Sequence, residues 1–330
     1  MSLVRIFAHV VMLSSPLLWL GMTDPVQAQE GAARKATLRI VVPFPPGGST
    51  DALARLLGPK IGERLGETTI VENRAGAGGN LGASIVASEP AGTNPILVAA
   101  TSVVVNPTIY AANSPFQLFR DLVPITKLVD IPCAILVGPS VSVGTLSEFI
   151  ALARSKPSGL NMASAGFGTV PHVAGEYLGS VIGAAFTHVP HKGQAEMLRE
   201  LMAGRTDVVV DLLAGSLPHL QSGRLRALAV TSTTRQQALP DVPTADEAGL
   251  RGYVVSAHQS MWAPSGTPRN RVEQLNRAVA LVLDDPEVRS VLERMLMTAA
   301  ATTVIEAERY LRSEVQKWAV FAKSGEPAPR

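Results

Sequence analysis

Short strand-like runs and amphipathic helical patterns alternate along most of the chain, and this alternation limits the possible folds more than any other feature. The segment 37–42 (TLRIVV) is a β-branched run, and the segment 51–65 then places Leu53, Leu57 and Ile61 on one helical face. Further strand candidates are 68–71, 96–100, 134–137, 161–164, 207–211 and 225–231, with helical patterns at 147–155, 170–183 and 194–203. Such alternation predicts an α/β protein with parallel sheets that are covered by helices on both faces.

The C-terminal part has a different pattern. Helical segments at 268–284, 286–297 and 304–324 follow one another without a strand candidate between them. A helical tail of this kind usually packs back onto an earlier part of the chain, and with 46% apolar residues the chain can bury two cores. We therefore expect a discontinuous first lobe, 29–131 and 252–330, with the second lobe, 132–251, inserted into it.

The N-terminus resembles a secretory signal peptide. Arg5 precedes an apolar stretch at 6–20 that is shorter than the ~20 residues needed to cross a bilayer. The small residues Val26 and Ala28 predict cleavage after Ala28, so that residues 1–28 are removed and the protein is exported. No cysteine lies near this position, which argues against a lipid anchor.

Charge and cysteine content exclude several function classes. Removing one base, Arg5, and one acid, Asp24, leaves the net charge at +2, which is too small and too dispersed to favour a nucleic-acid partner. Cys133 is the only cysteine, so no intramolecular disulfide can form. It lies in the apolar run 131–137 and is expected to be a buried small hydrophobic residue rather than a reactive thiol.

The segment 43–51 (PFPPGGSTD) follows a strand and opens a helix. Its glycines permit a close approach of the backbone to a ligand, and Ser49, Thr50 or Asp51 can cap the helix. Free amides at the positive end of the helix dipole would form an anion site. Local chemistry alone equally allows a rigid turn with an ordinary cap.

The segment 164–169 (SAGFGT) has a similar design. It contains two glycines and a hydroxyl, Thr169 is a plausible cap, and Pro171 lies in the first turn of the helix that follows. Two such helix starts in two halves of a chain would face each other across a cleft. Each dipole contributes only about 0.3–1 kcal/mol, so useful affinity requires several amides and closure of the lobes.

Other motifs are incomplete. The glycine cluster at 75–82 has Leu81 where a dinucleotide fingerprint requires glycine, and the sequence contains neither a phosphate loop nor a Gly-x-Ser-x-Gly elbow. His188 and His191 lack a third ligand for a catalytic zinc, so no metal and no cofactor is expected. A triad of Ser164, His172 and Asp211 is conceivable but is also expected by chance. An exported α/β hydrolase is thus the alternative function.

Seven motifs together resemble the Bug solute receptors, which are extracytoplasmic receptors associated with tripartite tricarboxylate transporters. They are VPFPPGGSTDALAR, VENRAGAGGNLGA, SAGFGTVPHVAGEYL, HVPHKG, GRTDVVVD, PDVPTADEAGL and WAPSGTP, and they run in order through nearly the whole chain after the signal peptide. The resemblance implies a type II periplasmic-binding-protein fold, in which two α/β lobes joined by a hinge close on a ligand. It also implies a binding protein rather than an enzyme.

Members of that family bind organic acids through backbone amides, hydroxyls and waters. The resemblance implies that the ligand contacts residues of two helix-start loops, a third glycine loop and isolated positions near strand ends. These residues are Phe44, Pro45, Gly47, Gly48, Ser49, Thr50, Gly78, Gly79, Ser102, Ala165, Gly166, Phe167, Gly168, Thr169, His172, His191 and Asp211. The expected partners are a small organic acid and a membrane permease or sensor, and the protein is expected to be a periplasmic monomer.

The sequence departs from the family pattern at a few positions. His191 stands where a tyrosine is usual, and this change could alter contacts with the distal end of the ligand. The segments 90–95, 258–261 and 297–301 also differ, and they are interpreted as changes in the scaffold. These departures affect the expected specificity more than the expected fold.

Overall fold

The computed structural model describes residues 36–90, 93–109, 114–156 and 158–322. The expected signal peptide and its cleavage position lie outside these residues. The described strands are β1 (Thr37–Val42), β2 (Thr68–Asn73), β3 (Pro95–Ala100), β4 (Leu122–Val137), β5 (Leu160–Ser164), β6 (Phe186–Pro190), β7 (Val208–Leu212), β8 (Arg226–Val230), β9 (Ser256–Pro264) and β10 (Thr298–Ala299).

Eleven α-helices are described between and after these strands. They are α1 (Ser49–Leu65), α2 (Asn80–Ser88), α3 (Thr101–Ile109), α4 (Leu118–Asp121), α5 (Leu146–Ser155), α6 (Val170–Ile182), α7 (Gln194–Met202), α8 (Leu213–Gln221), α9 (Arg269–Leu283), α10 (Pro286–Arg294) and α11 (Val304–Ala322), and a 3-10 turn spans Ala77–Gly79. Among the described residues, every helix is too short or too polar to cross a membrane.

The fold has two lobes, each built around its own sheet. In the first, β1 pairs in parallel with β2 and β3, and β9 runs antiparallel between β3 and β4. In the second, β5 pairs in parallel with β6 and β7, and β4 pairs antiparallel with β7 and β8. The expectation of an α/β fold is therefore confirmed.

The long strand β4 joins the two sheets. Its residues from Leu122 to Pro132 pair with β9, whereas those from Cys133 to Val137 pair with β7 and β8. The chain returns to the first sheet beyond β8, where the Thr231 amide donates to the Cys133 carbonyl at 2.8 Å and the Val255 amide donates to the Thr231 carbonyl at 3.0 Å. Two chain crossings thus lie side by side and are tied by backbone hydrogen bonds.

The expectation of parallel sheets holds for β1 with its neighbours β2 and β3 and for β5 with β6 and β7, but it is wrong for β4 and β9, which run antiparallel to their neighbours. The first half of β4 is hard to recognise because Lys127 and Asp130 interrupt its apolar pattern and Pro124 cannot donate to a ladder. The register of β4 against β9 shifts twice in this region. The expectation of no strand within the C-terminal helical part is also wrong, since β10 pairs with β4 between α10 and α11.

Burial of apolar faces explains why these elements form. Leu53, Leu57 and Ile61 of α1 are fully buried, and α1 ends where Gly66 adopts a left-handed φ of 70°. The C-terminal helices pack against earlier parts of the chain: α9 against α1, and α11 against α3 and β4. Trp262 of β9 and Trp318 of α11 are both fully buried. These contacts fix the strand ends from which the site is built.

Candidate ligand-binding cleft

A cavity of about 480 Å³ lies where the two sheets meet, and residues from both sheets line it. The first sheet and its helices contribute the β1–α1 turn, the β3–α3 junction, and parts of β4 and β9. The second contributes the ends of β5 and β7 and the starts of α6 and α7. The lining residues are Phe44, Pro45, Pro46, Gly48, Ser49, Thr50, Ala100, Thr101, Ser102, Ile131, Ala165, Thr169, Val170, Pro171, Gln194, Asp211, Leu212, Ala257, His258 and Gln259.

The β1–α1 turn presents free backbone amides to this cavity. Gly48 is the N-cap residue and no side chain caps the helix, so the prediction that Ser49, Thr50 or Asp51 does so is wrong. The Ala52 amide donates to the Gly48 carbonyl at 2.9 Å, whereas the amides of Ser49, Thr50 and Asp51 meet no acceptor among the described residues. These amides and the helix dipole together favour an anion.

Asp51 holds this turn in shape. Its carboxylate accepts the Gly47 amide at 3.0 Å, the Arg55 guanidinium at 3.0 Å and the Asn73 side chain at 2.9 Å. Gly47 has a φ of 86°, a left-handed conformation that favours glycine. The hydrogen bond from Arg55 is the main cause that lowers the pKa of Asp51 to about 2. Asp51 therefore remains charged and keeps Gly47 and Gly48 oriented.

The second helix start offers fewer free amides than the first. Thr169 is the N-cap residue of α6, but its hydroxyl donates to the Gly166 carbonyl at 2.6 Å instead of capping the helix. The Gly168 amide donates to the His172 imidazole at 3.2 Å, and Pro171 has no N–H. The Val170 amide has no acceptor in the described part of the chain. The two starts are therefore unequal, and the start of α1 offers more free amides to an anion.

The histidines near α6 form a separate cluster. His188 Nε2 lies 2.7 Å from Ser164 Oγ, and the rings of His172 and His188 are 4.2 Å apart, with Phe167 edge-on to both. Burial lowers the pKa of each histidine to about 4, so both are neutral near pH 7. Neither histidine lines the cavity.

The residues of the conceivable triad are not brought together. Ser164 is fully buried and pairs with His188 rather than with His172, and its oxygen also accepts the Gly166 amide at 3.1 Å. Asp211 bonds to Gln194 and to neither histidine. Within the described residues no group of three or more His, Cys, Asp or Glu side chains is arranged to hold a metal ion.

Asp211, next to last in β7, is a cavity residue whose side chain is fully buried. Both of its carboxylate oxygens accept from Gln194 Nε2 at 2.9 Å. Burial raises the pKa of Asp211 to about 7, and the hydrogen bonds from Gln194 and the Leu212 amide act in the opposite direction. The carboxyl group is therefore divided between its neutral and charged forms near pH 7.

The structure brings together about half of the site residues expected from the sequence. Those that line the cavity are Phe44, Pro45, Gly48, Ser49, Thr50, Ser102, Ala165, Thr169 and Asp211. Those that do not are Gly47, Gly78, Gly79, Gly166, Phe167, Gly168, His172 and His191.

The third glycine loop contacts two of the residues that line the cavity. Ser102 Oγ donates to the Gly78 carbonyl at 3.2 Å, and a Cβ on Gly79 would lie 3.2 Å from the Phe44 ring. Both glycines have left-handed φ values, 64° and 101°. The loop therefore supports Phe44 and Ser102, which line the cavity in its place.

Sequence reasoning missed several lining residues on β9 and α7. His258 is fully buried, its amide donates to Thr101 Oγ1 at 2.8 Å, and burial lowers its pKa to about 3. Gln259 is also buried, with Nε2 3.4 Å from Ser49 Oγ. The departure from the family pattern at 258–261 is the available signal, but from the sequence alone it indicates only a change in the scaffold. Gln194 carried no such signal.

The charges that line the cavity are few. Among the lining residues there is no lysine or arginine, and Asp211 is the only carboxylate. The walls are otherwise apolar, from Phe44, Ile131 and Val170 among others. An anion in this cavity would be held by amides and hydroxyls rather than by an ion pair.

Comparison with known proteins supports the class of protein that the sequence motifs indicate, a solute receptor. Residues 53–325 match the family model described as tripartite tricarboxylate transporter family receptor. The protein BugT of Bordetella pertussis is 31% identical over 300 residues, which cover 91% of each chain.

Two solved structures from Rhodopseudomonas palustris are also similar. Rpa4515 with adipate has a TM-score of 0.77 and 32% identity, over 89% of this chain and 98% of that one. MatC (Rpa3494) with bound malate has a TM-score of 0.74 and 31% identity, over 87% of this chain and 99% of that one. The type II periplasmic-binding-protein fold is thereby confirmed, and the chain belongs to the tripartite tricarboxylate transporter receptor family, as a receptor of the Bug type.

Proposed function

We propose that the protein binds a small organic carboxylate in the cavity between its lobes. The observation that carries this proposal is the set of unpaired amides of Ser49, Thr50 and Asp51 at the start of α1, beside a cavity lined from both sheets. A carboxylate there would satisfy two or three of these amides and would meet the positive end of the helix dipole.

Similar proteins support this ligand class. MatC was solved with bound malate and Rpa4515 with adipate, and both are dicarboxylates. The two helix starts differ here, so we propose that the proximal carboxylate lies at α1 and that Thr169 and the Val170 amide complete its contacts from the second lobe. The remaining expected residues, such as Gly79 and His172, shape the walls behind the residues that line the cavity.

Closure of the lobes is the proposed mechanism of capture. We propose that residues 29–131 with 252–330 move against residues 132–251, about the two crossings near Cys133 and Val255. The change of pairing partners within β4 and the hydrogen bonds of Thr231 support this boundary. A ligand that contacts both lobes favours the closed state by its differential affinity for the two states.

We also propose that the protein is not an enzyme. The triad that the hydrolase alternative would use is not formed, since Ser164 is fully buried and its neighbour His188 has no acidic partner among the described hydrogen bonds. The proposed role is that of a periplasmic monomer, cleaved after Ala28, that delivers its ligand to a membrane permease or sensor. N-terminal sequencing of the secreted protein and light scattering test the cleavage position and the monomeric state.

The ligand class can be tested with protein that has been unfolded and refolded to remove any bound molecule. Thermal shift over a panel of mono-, di- and tricarboxylates, amino acids and aromatic acids identifies candidates, and calorimetry then measures their affinities. At least one carboxylate should raise the melting temperature, since a ligand that binds only the folded state stabilises it. Stabilisation by none of them would refute the proposal.

A further inference from the structure

Gln194 donates to Asp211, which is the only carboxylate among the described residues that line the cavity. Its Nε2 lies 2.9 Å from each carboxylate oxygen of Asp211 and 3.4 Å from the Leu212 carbonyl. Asp211 is completely buried, whereas Gln194, the first residue of α7, is only partly buried. Of the two, Gln194 is therefore the residue with surface to offer a ligand.

Gly215 provides the space for this arrangement. It lies in the first turn of α8, and a Cβ at this position would overlap Cδ, Oε1 and Nε2 of the Gln194 side chain. Gly215 has no left-handed φ, so its backbone conformation does not itself require glycine. The missing side chain leaves a slot in which the Gln194 amide lies against α8 and reaches Asp211.

The chemical consequence is that the cavity meets the uncharged carboxamide of Gln194 at the end of β7, where Asp211 without Gln194 would present a carboxyl group. The amide nitrogen of Gln194 is directed at Asp211 and Leu212, and its oxygen accepts no hydrogen bond from the described residues. A ligand on this side meets an uncharged carboxamide, whose oxygen is a possible acceptor for a hydroxyl or an amide. A ligand ammonium could pair with Asp211 only after displacing Gln194.

We propose that Gln194, seated on Gly215, shields Asp211 from the ligand and so selects carboxylates whose other polar groups are uncharged or acidic, over those that carry an ammonium group. This inference rests on the proposed function, because it assumes that a carboxylate occupies the cavity. Gln194 is thus a specificity-determining residue, and Asp211 positions it.

The test compares three scaffolds, each as an amino, a hydroxy and an unsubstituted acid. The probes are aspartate, malate and succinate; 2-aminoadipate, 2-hydroxyadipate and adipate; and phenylalanine, phenyllactate and phenylpropionate. Calorimetry gives the dissociation constants for the wild type, for Gln194→Ala and for Gly215→Ala. Gln221→Ala, an exposed glutamine at the end of α8, is the matched control.

In the wild type and the control, the amino member of a scaffold should bind no better than its hydroxy counterpart. In Gln194→Ala the amino member should gain about 10- to 100-fold relative to the hydroxy member, because an ammonium can then bond to Asp211. Gly215→Ala should shift the ratio in the same direction by pushing the Gln194 amide aside. Alanine is favoured over glycine within a helix, so this variant should remain folded, which melting by circular dichroism checks.

Two results would overturn the inference while leaving the proposed function intact. One is an amino acid that binds best of its scaffold in the wild type. The other is an amino-to-hydroxy ratio that stays unchanged in both Gln194→Ala and Gly215→Ala. Binding of no organic acid in the larger panel is a different outcome, since it refutes the proposed function itself.

Discussion

Replacing Ser49 by proline tests whether the amides of α1 hold the ligand. Ser49 is the first residue of the helix, and the preceding Gly48 has φ −78° and ψ 169°, an extended conformation that a following proline favours. The substitution removes one N–H that has no acceptor in the described structure, so the fold should be retained. Ser49→Ala removes the hydroxyl but keeps the amide, and it is the matched control.

The expected loss can be worked from one hydrogen bond to a charged group. Such a bond contributes about 1.5–3 kcal/mol, and one factor of ten in affinity corresponds to about 1.4 kcal/mol. Ser49→Pro should therefore weaken binding of the best carboxylate by about 10- to 150-fold relative to Ser49→Ala, as measured by calorimetry. Its melting temperature without ligand should match that of the wild type within a few degrees.

A second control separates a general effect of proline from the loss of this amide. Arg269 occupies the same first position in α9 and does not line the cavity, so Arg269→Pro should leave the affinity unchanged. Equal affinities of Ser49→Pro and Ser49→Ala, with both variants folded, would refute the claim that the Ser49 amide contacts the carboxylate.

Three further predictions concern ionisable groups. The pKa of Asp51 is about 2 in the folded protein, below its value of 3.8 in the unfolded chain, so it stabilises the fold by about 2 kcal/mol above pH 4. This contribution to the free energy of unfolding should be lost as the pH falls from about 4 to 2, and Asp51→Asn should lack that part of the pH dependence. The pKa of Asp211 is raised to about 7, so the free energy of unfolding of the wild type should fall relative to that of Asp211→Asn as the pH rises from about 4 to 7. If the two proteins instead show the same dependence of stability on pH over this range, the conclusion that the charged carboxylate is costly to bury is contradicted. Cys133 is fully buried with its pKa raised to about 12, so iodoacetamide should label it only after unfolding, and fast labelling of native protein would contradict this burial.

The parts of the site that depend on local sequence were predictable. Proline, glycine and a strand-to-helix change in one short segment identified the β1–α1 turn, because a turn and a helix start are determined by neighbouring residues. The same reasoning found Thr169, whereas Asp211 was expected in the cleft only from the family resemblance. It did not predict that Asp51 would bond to Gly47 rather than cap the helix, since this depends on Arg55 and Asn73 packing beside it.

The parts that depend on tertiary contact were not predictable. The strand β9 is buried along nearly all of its length, so its residues HQSMWAP lack the alternation by which a half-buried strand is recognised. His258 and Gln259 were therefore not placed in the cleft. Gln194 reaches Asp211 across 17 positions of sequence, and no pattern in the sequence joins the two. His172 was expected beside the ligand, but it does not line the cavity, and its imidazole accepts the Gly168 amide.

The most direct test of the central claim is a crystal structure of the protein with the carboxylate that binds it best. A carboxylate oxygen should lie about 2.7–3.2 Å from the backbone nitrogens of Ser49 and Thr50, with residues of both lobes around the ligand. A ligand whose carboxylate instead pairs with a lysine or arginine, or that lies outside the cavity between the two sheets, would contradict the account.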